Sequence, residues 1–138
     1  MGLADTSLDL AAACDASIQA INKQRSSAGY TETGGEAATL DHLVSSLQDR
    51  ASNLRTAGVA ACLEAATDPL AKIQDATTQA KAAVANLKAA DQMITLAGSL
   101  ISLAAAAATG NIPAIATSAA AVISEATQLM PKAGSAGI

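Results

Sequence analysis

Between Gln92 and Ser124 the chain carries no charged residue, and one turn signal, Thr109-Gly110-Asn111-Ile112-Pro113, divides that stretch into two alanine-rich arms. Alanine and leucine favour helix, while Gly-Asn followed by Pro ends one helix and opens the next. The pattern predicts an uncharged helical hairpin. Such a hairpin must be buried in the protein's own core, against other chains, or in a lipid bilayer, and the choice among these decides what the chain does.

The rest of the 138-residue sequence supports an all-α reading. About a quarter of it is alanine, there is no Trp or Phe, Tyr30 is the one aromatic residue, and the β-branched and aromatic runs that mark strands are missing. A chain of this length makes one domain, residues 1–138. Without large aromatic side chains its core must come from Leu, Ile, Val and Ala. Alanine buries so little area that helices must approach closely to gain from packing, which favours long, repetitive helix contacts.

Apolar periodicity places four helices, at about 5–25, 35–66, 69–109 and 113–130, with a mobile tail over 131–138. Leu10, Cys14, Ile18 and Ile21 form one stripe on the first, behind an Asp5 or Thr6 cap. Ser26 to Gly35 reads as a polar loop in which Tyr30 serves as an anchor. Thr33 and Glu36 fit a capping box for the second helix. Its seam, Leu40, Leu43, Leu47, Ala51, Leu54, Gly58 and Ala61, keeps coiled-coil spacing.

Asp68-Pro69 then reads as a cap and first helical residue, so the second and third helices are expected to form an antiparallel hairpin. The third is expected to run unbroken for ~60 Å, its character changing at Asp91. The fourth carries Ile115, Ala119, Val122, Ala126 and Leu129. The expected fold is an elongated antiparallel bundle of about four helices with the uncharged hairpin toward the C-terminus, its Gly110 turn at or beyond one end.

Within the uncharged stretch Gly98, Ser102, Ala106 and Gly110 recur every fourth residue, a small-residue ridge of the kind that lets helix backbones come close. The candidate interaction residues are Met93, Ile94, Leu96, Gly98, Leu100, Ile101, Ser102, Leu103, Ala106, Gly110, Ile112, Ile115, Val122 and Ile123. The arm 93–109 extends ~25 Å and the arm 112–124 ~20 Å, short of the ~30 Å hydrocarbon core of a bilayer. Asp91, expected on the apolar seam, is a candidate acidic switch, because burial raises a carboxylate's pKa.

No catalytic, cofactor or metal site is expected. His42 is the one histidine, and no second ligand lies at metal spacing. No Gly-x-Ser-x-Gly elbow or phosphate-cradling glycine loop occurs. Cys14 and Cys62 lie on predicted apolar faces as small buried hydrophobes, and a disulfide between them is open if the first two helices run antiparallel in an oxidising compartment.

Twelve acidic and eight basic residues give a net charge of -4 without a basic patch, which argues against nucleic acid. No small-molecule substrate can be named. Gly2 with Thr6 fits the loose N-myristoylation pattern, but Asp5 stands inside it and no polybasic patch lies nearby. The N-terminus has no cleavable signal pattern, so the chain is expected in the cytoplasm or exported by a route that needs none.

Long antiparallel helices with an apolar hairpin near one end resemble the α-helical pore-forming toxins in architecture. The central hairpin is similar to that of the small secreted helical proteins of the WXG type, with Thr67-Asp68-Pro69 at the turn in place of their Trp-x-Gly. Alanine-rich amphipathic helices also resemble phasins, the coat proteins of polyester granules. No family-specific motif accompanies any of the three. The leading expectation is a non-enzymatic assembly protein whose hairpin is buried against its own copies or a helical partner. Membrane insertion or adhesion through residues 93–123, and coating of a hydrophobic particle, are the alternatives.

Overall fold

Five α-helices form where the sequence has unbroken runs of good helix formers: α1 (Leu3–Arg25), α2 (Gly34–Thr56), α3 (Thr67–Ala83), α4 (Ala90–Thr109) and α5 (Ile112–Leu129). The computed structural model describes residues 3–27, 34–60, 63, 67–87 and 90–129, and every regular element among them is helical. The expected Thr33 cap, Tyr30, Cys62, Lys88, Gly2 and the 131–138 tail lie outside these residues.

The stripe on α1 appears as the periodicity predicts, with Leu10, Cys14, Ile18 and Ile21 all buried. Ala11, Ala13 and Ser17 widen it, because α2, α3 and α4 all pack against this helix. The small side chains at these positions let three neighbours come close. α4 has the other central place, lying against α5, α2 and α1.

Two helices end sooner than the periodicity suggests. α2 stops at Thr56, and Gly58 takes a left-handed φ of 74° that other residues rarely adopt. The N–H groups of Ala57 and Gly58 both donate to Asn53 O, at 2.7 and 3.2 Å, which closes the helix end. Val59 and Ala60 then tie the chain to α1 and α4. Val59 N–H donates to Ser7 Oγ at 2.9 Å and Ala60 N–H to Ala107 O at 2.9 Å, while Val59 and Leu63 are buried. Two buried side chains and two cross-links to other helices replace the turns that a continued α2 would have made.

The expected 69–109 helix is likewise interrupted. After α3 the chain tightens into a 3-10 turn at Val84–Asn86, and Leu87 adopts an extended conformation with ψ of 127°. Leu87 is buried there. The break re-aims the chain, so α3 packs on α5 and α1, while α4 packs on α5 and α2. The expected pairing of second and third helices is met only in part: α2 packs chiefly on α1 and on α4, the outer part of the expected 69–109 helix, rather than on α3 beside the Asp68-Pro69 turn. A helix of 20 residues, ~30 Å long, replaces the outer half of the expected ~60 Å rod.

The accessible surface is 6919 Å², close to the roughly 6,500 Å² expected of a compact monomer of this mass. The core therefore closes within one chain. Its largest fully buried side chains are Leu10, Ile21, Leu40, Leu47, Leu63, Ile73, Met93, Leu96, Leu100, Leu103, Ile115 and Val122.

Candidate functional site

The α4–α5 hairpin forms about the turn that the sequence marks. Gly110 has a φ of 73°, its N–H donates to Ala106 O at 2.9 Å, and the Asn111 N–H donates to the same oxygen at 3.1 Å. This is a Schellman end, in which glycine supplies the left-handed residue. Asn111 Oδ1 then accepts from the Ala114 N–H at 3.2 Å and caps α5.

The hairpin's two faces are unlike. Inward, Met93, Leu96, Leu100, Leu103, Ile115 and Val122 are fully buried, and Ala106 is nearly so. Ile94, Ile101 and Ile123 pack partly against the core, whereas Ile112 at the turn is 49% exposed. Outward lie Thr95, Gly98, Ser99, Ser102, Thr117, Ser118 and Ala121, all exposed or half-buried.

The small-residue ridge does not act as one surface. Residues four apart on a helix advance about 40° around it, so three steps turn the ridge by about 120°. Gly98 is half-buried, Ser102 exposed, Ala106 buried and Gly110 in the turn. A Cβ built on Gly98 meets nothing within 4 Å. The close helix approach expected at Gly98 is thus absent within the chain, and the ridge starts on the outer face and rotates into the core.

A shallow cleft of about 510 Å³ runs along this outer face, lined by Ile94, Gly98, Ser99, Ser102, Ser118 and Glu125 among others. A second, of about 300 Å³, continues it past Thr95, Gln128 and Leu129 toward Asp91. Glu125 borders both. Ser99 Oγ donates to Glu125 Oε2 at 2.8 Å, bridging α4 and α5, while Glu125 Oε1 is buried and has no hydrogen-bond partner among the described residues. Burial holds this carboxyl above the ordinary carboxylate range, and the Ser99 hydrogen bond pulls the other way.

The sequence points to Asp91 as the acidic switch. Asp91 is exposed in the first turn of α4, where a negative charge suits the helix dipole, and the burial such a switch requires is missing there. Glu125 is half-buried, with its Oε1 shielded from water. The signal was available: an acid three residues after Val122 and one before Ala126 sits at the edge of the buried stripe.

The hydroxyls on this face are quieter than their number suggests. Thr95, Thr109, Thr117 and Thr127 each donate to the carbonyl four residues back. Thr39, Thr56, Thr77 and Thr78 do the same in α2 and α3, so the habit belongs to the whole bundle and does not mark a lipid-facing surface.

Elsewhere the chemistry is sparse. Burial pushes the Cys14 thiol up to about 12, with Asp15 adding to the rise and Arg55 opposing it, so it is a poor nucleophile. Cys14 is a free thiol. His42 is exposed on α2. Among the described residues no three His, Cys, Asp or Glu side chains gather as a metal site. No protein family profile, curated protein or solved structure matches this chain.

Proposed function

We propose that this is a non-enzymatic helical assembly protein and that a second copy docks on the outward face of the α4–α5 hairpin. The observation that carries the reading is the absence of charge across two adjacent helices of an acidic chain, from Gln92 to Ser124. A two-fold contact places each surface patch against its own equivalent or a neighbour of it. For a chain of net charge -4, most faces then set like charges together. Over residues 92–124 the outward hairpin face avoids that opposition, and Glu125 stands at its edge.

Size bounds the strength of such a contact. Two helices ~27 Å long and roughly 20 Å wide together offer about 500 Å² per copy, or about 1,000 Å² in total, the lower limit for a specific interface. Association is therefore concentration-dependent rather than obligate. Sedimentation velocity over a hundredfold range of concentration, at pH 7.5 and at pH 5.5, tests the reading: a monomer at low concentration and a dimer or closed oligomer at high concentration is expected, and a monomer throughout at both pH values sinks it.

One observation favours membrane insertion as a second reading. α4 has 20 residues and a mean hydropathy of 1.5, long and apolar enough to cross a bilayer by length and composition. Magnitudes weigh against it. Inserting the hairpin moves its own six large buried side chains into lipid but takes the cover from the other six, Leu10, Ile21, Leu40, Leu47, Leu63 and Ile73, whose full exposure would cost roughly 1.5 to 3 kcal/mol each. A large part of that loss is comparable with the whole stability of an ordinary domain, about 5 to 15 kcal/mol. Docking on the outer face leaves this core intact. Flotation with neutral and anionic vesicles, with dye release alongside, separates the possibilities: leakage supports insertion, and binding without leakage supports a coat.

A further inference from the structure

Among the described residues, Glu125 is the charged group partly buried in the outward α4–α5 face, while Asp91 stands exposed at its end. Glu125 Oε2 is held by Ser99 across the two helices, its Oε1 is buried without a partner among the described residues, and both clefts of the face border on this side chain. We propose that proton uptake by Glu125 controls assembly through this face, the charged carboxylate holding copies apart and the neutral acid letting them close. The inference rests on the α4–α5 face being the assembly surface.

Covering the clefts with another chain removes the water that still solvates this side chain. An ionised carboxylate with half its acceptor capacity unfilled resists that transfer strongly, whereas a protonated one resists it far less. The carboxyl already lies above the ordinary range in the single chain, so further burial moves it the same way. Among the described residues no cation lines either cleft. Of the helices packed on α5, α4 contributes Asp91 to the smaller cleft, a like charge, and the charged residues of α3, Asp68, Lys72, Asp75 and Lys81, line neither cleft. Lys81 is turned toward Asp9 of α1, at 3.5 Å.

A two-fold contact brings one Glu125 from each copy. If both take up a proton on association, the association constant rises by up to about a hundredfold for each unit fall in pH between the pKa of the free and the assembled states. Ser99 sets where that window lies. Its hydrogen bond favours the charged form, so its loss shifts the window to higher pH.

Sedimentation of the full chain from pH 7.5 down to pH 5.5 tests the gate while staying above the isoelectric point near 4.7, where any chain of this composition would associate without specificity. The wild type is expected to associate at least about tenfold more tightly at the lower pH. Glu125→Gln, close in shape and uncharged, is expected to associate at pH 7.5 as the wild type does at pH 5.5, with little further response to pH. Ser99→Ala is expected to move the wild-type transition upward, and Asp91→Asn to leave its steepness unchanged. Thermal melts confirm that each variant is folded. Association with the same pH profile in wild type and Glu125→Gln overturns the gate and leaves the assembly surface standing. Failure of Glu125→Gln to associate at any pH overturns both.

Discussion

The α1–α2 pair and the α4–α5 pair enclose the same core from different sides, and they differ in what they turn outward. Both bury a continuous stripe: Leu40, Leu47, Ala51 and Leu54 on α2, and Ile115, Ala119, Val122 and Ala126 on α5. Across its outer edge the first pair is tied by ion pairs, Arg25–Asp41 at 2.7 Å and Arg55–Asp15. The second has the neutral-to-acid bond from Ser99 to Glu125. Exposed ion pairs contribute about 0 to 1 kcal/mol each, too little to explain the bundle's stability. The difference lies in what each face admits: a charged face stays in water, and an uncharged one can be covered at small desolvation cost.

If the two pairs share one core, truncation inside either should cost alike. Leu47→Ala and Leu100→Ala each remove a fully buried leucine, and each should lower unfolding free energy by roughly 2 to 5 kcal/mol in denaturant melts. A Leu100→Ala cost below about 1 kcal/mol would mean that the hairpin is loosely held, and would break the comparison.

Glycines sharpen it at a smaller scale. Gly58, at positive φ, has Ser7 Oγ 3.0 Å from where a Cβ would stand, so Gly58→Ala should destabilise by about 1 to 2 kcal/mol. Gly98 lies within a helix with open space around it, so Gly98→Ala should stabilise the monomer by about 0.5 to 1 kcal/mol. Opposite signs in paired thermal melts are the expected result.

The raised carboxyl of Glu125 implies a pH dependence of definite sign. Its native pKa lies above the unfolded value, so the native state holds more protons in the interval between the two. Stability from this group is full below the ordinary carboxylate pKa and is lost as pH rises through the raised one. Glu125→Gln should therefore gain on the wild type as pH rises through that window, with melts at fixed ionic strength as the check. Smallest of all, Asp41→Asn on the α1–α2 side should change stability by less than about 1 kcal/mol, with the remaining effect fading in salt.

The all-α class, the buried stripes and the Gly110 turn were legible because helical periodicity and turn chemistry act over a few residues. The breaks at Gly58 and at Val84–Leu87 were not. Gly58 falls where a seam wants a small residue, so it reads equally as packing and as a helix end, and only the buried Val59 and the Ser7 and Ala107 hydrogen bonds decide between them. The Val84–Leu87 turn contains neither Gly nor Pro. Burial of Leu87 decides there, which is a tertiary effect. Glu125 is hard to read from sequence because it stands one residue beyond the charge-free stretch, although the same stripe that buries Val122 and Ala126 carries it to the edge of the core.

Moving charge onto one face at a time separates the outer face of α4–α5 from the rest of the surface as the place where copies meet. Ser102→Glu with Ala121→Glu places two acids on the hairpin face, and Ser45→Glu with Ser52→Glu places two on exposed positions of α2. Both double variants carry the same net charge, so general repulsion is matched. Sedimentation equilibrium of the three proteins at pH 5.5 and one ionic strength should show association in the wild type and the α2 variant, and a monomer in the hairpin variant. Equal association in all three, or its loss in the α2 variant alone, would contradict the account.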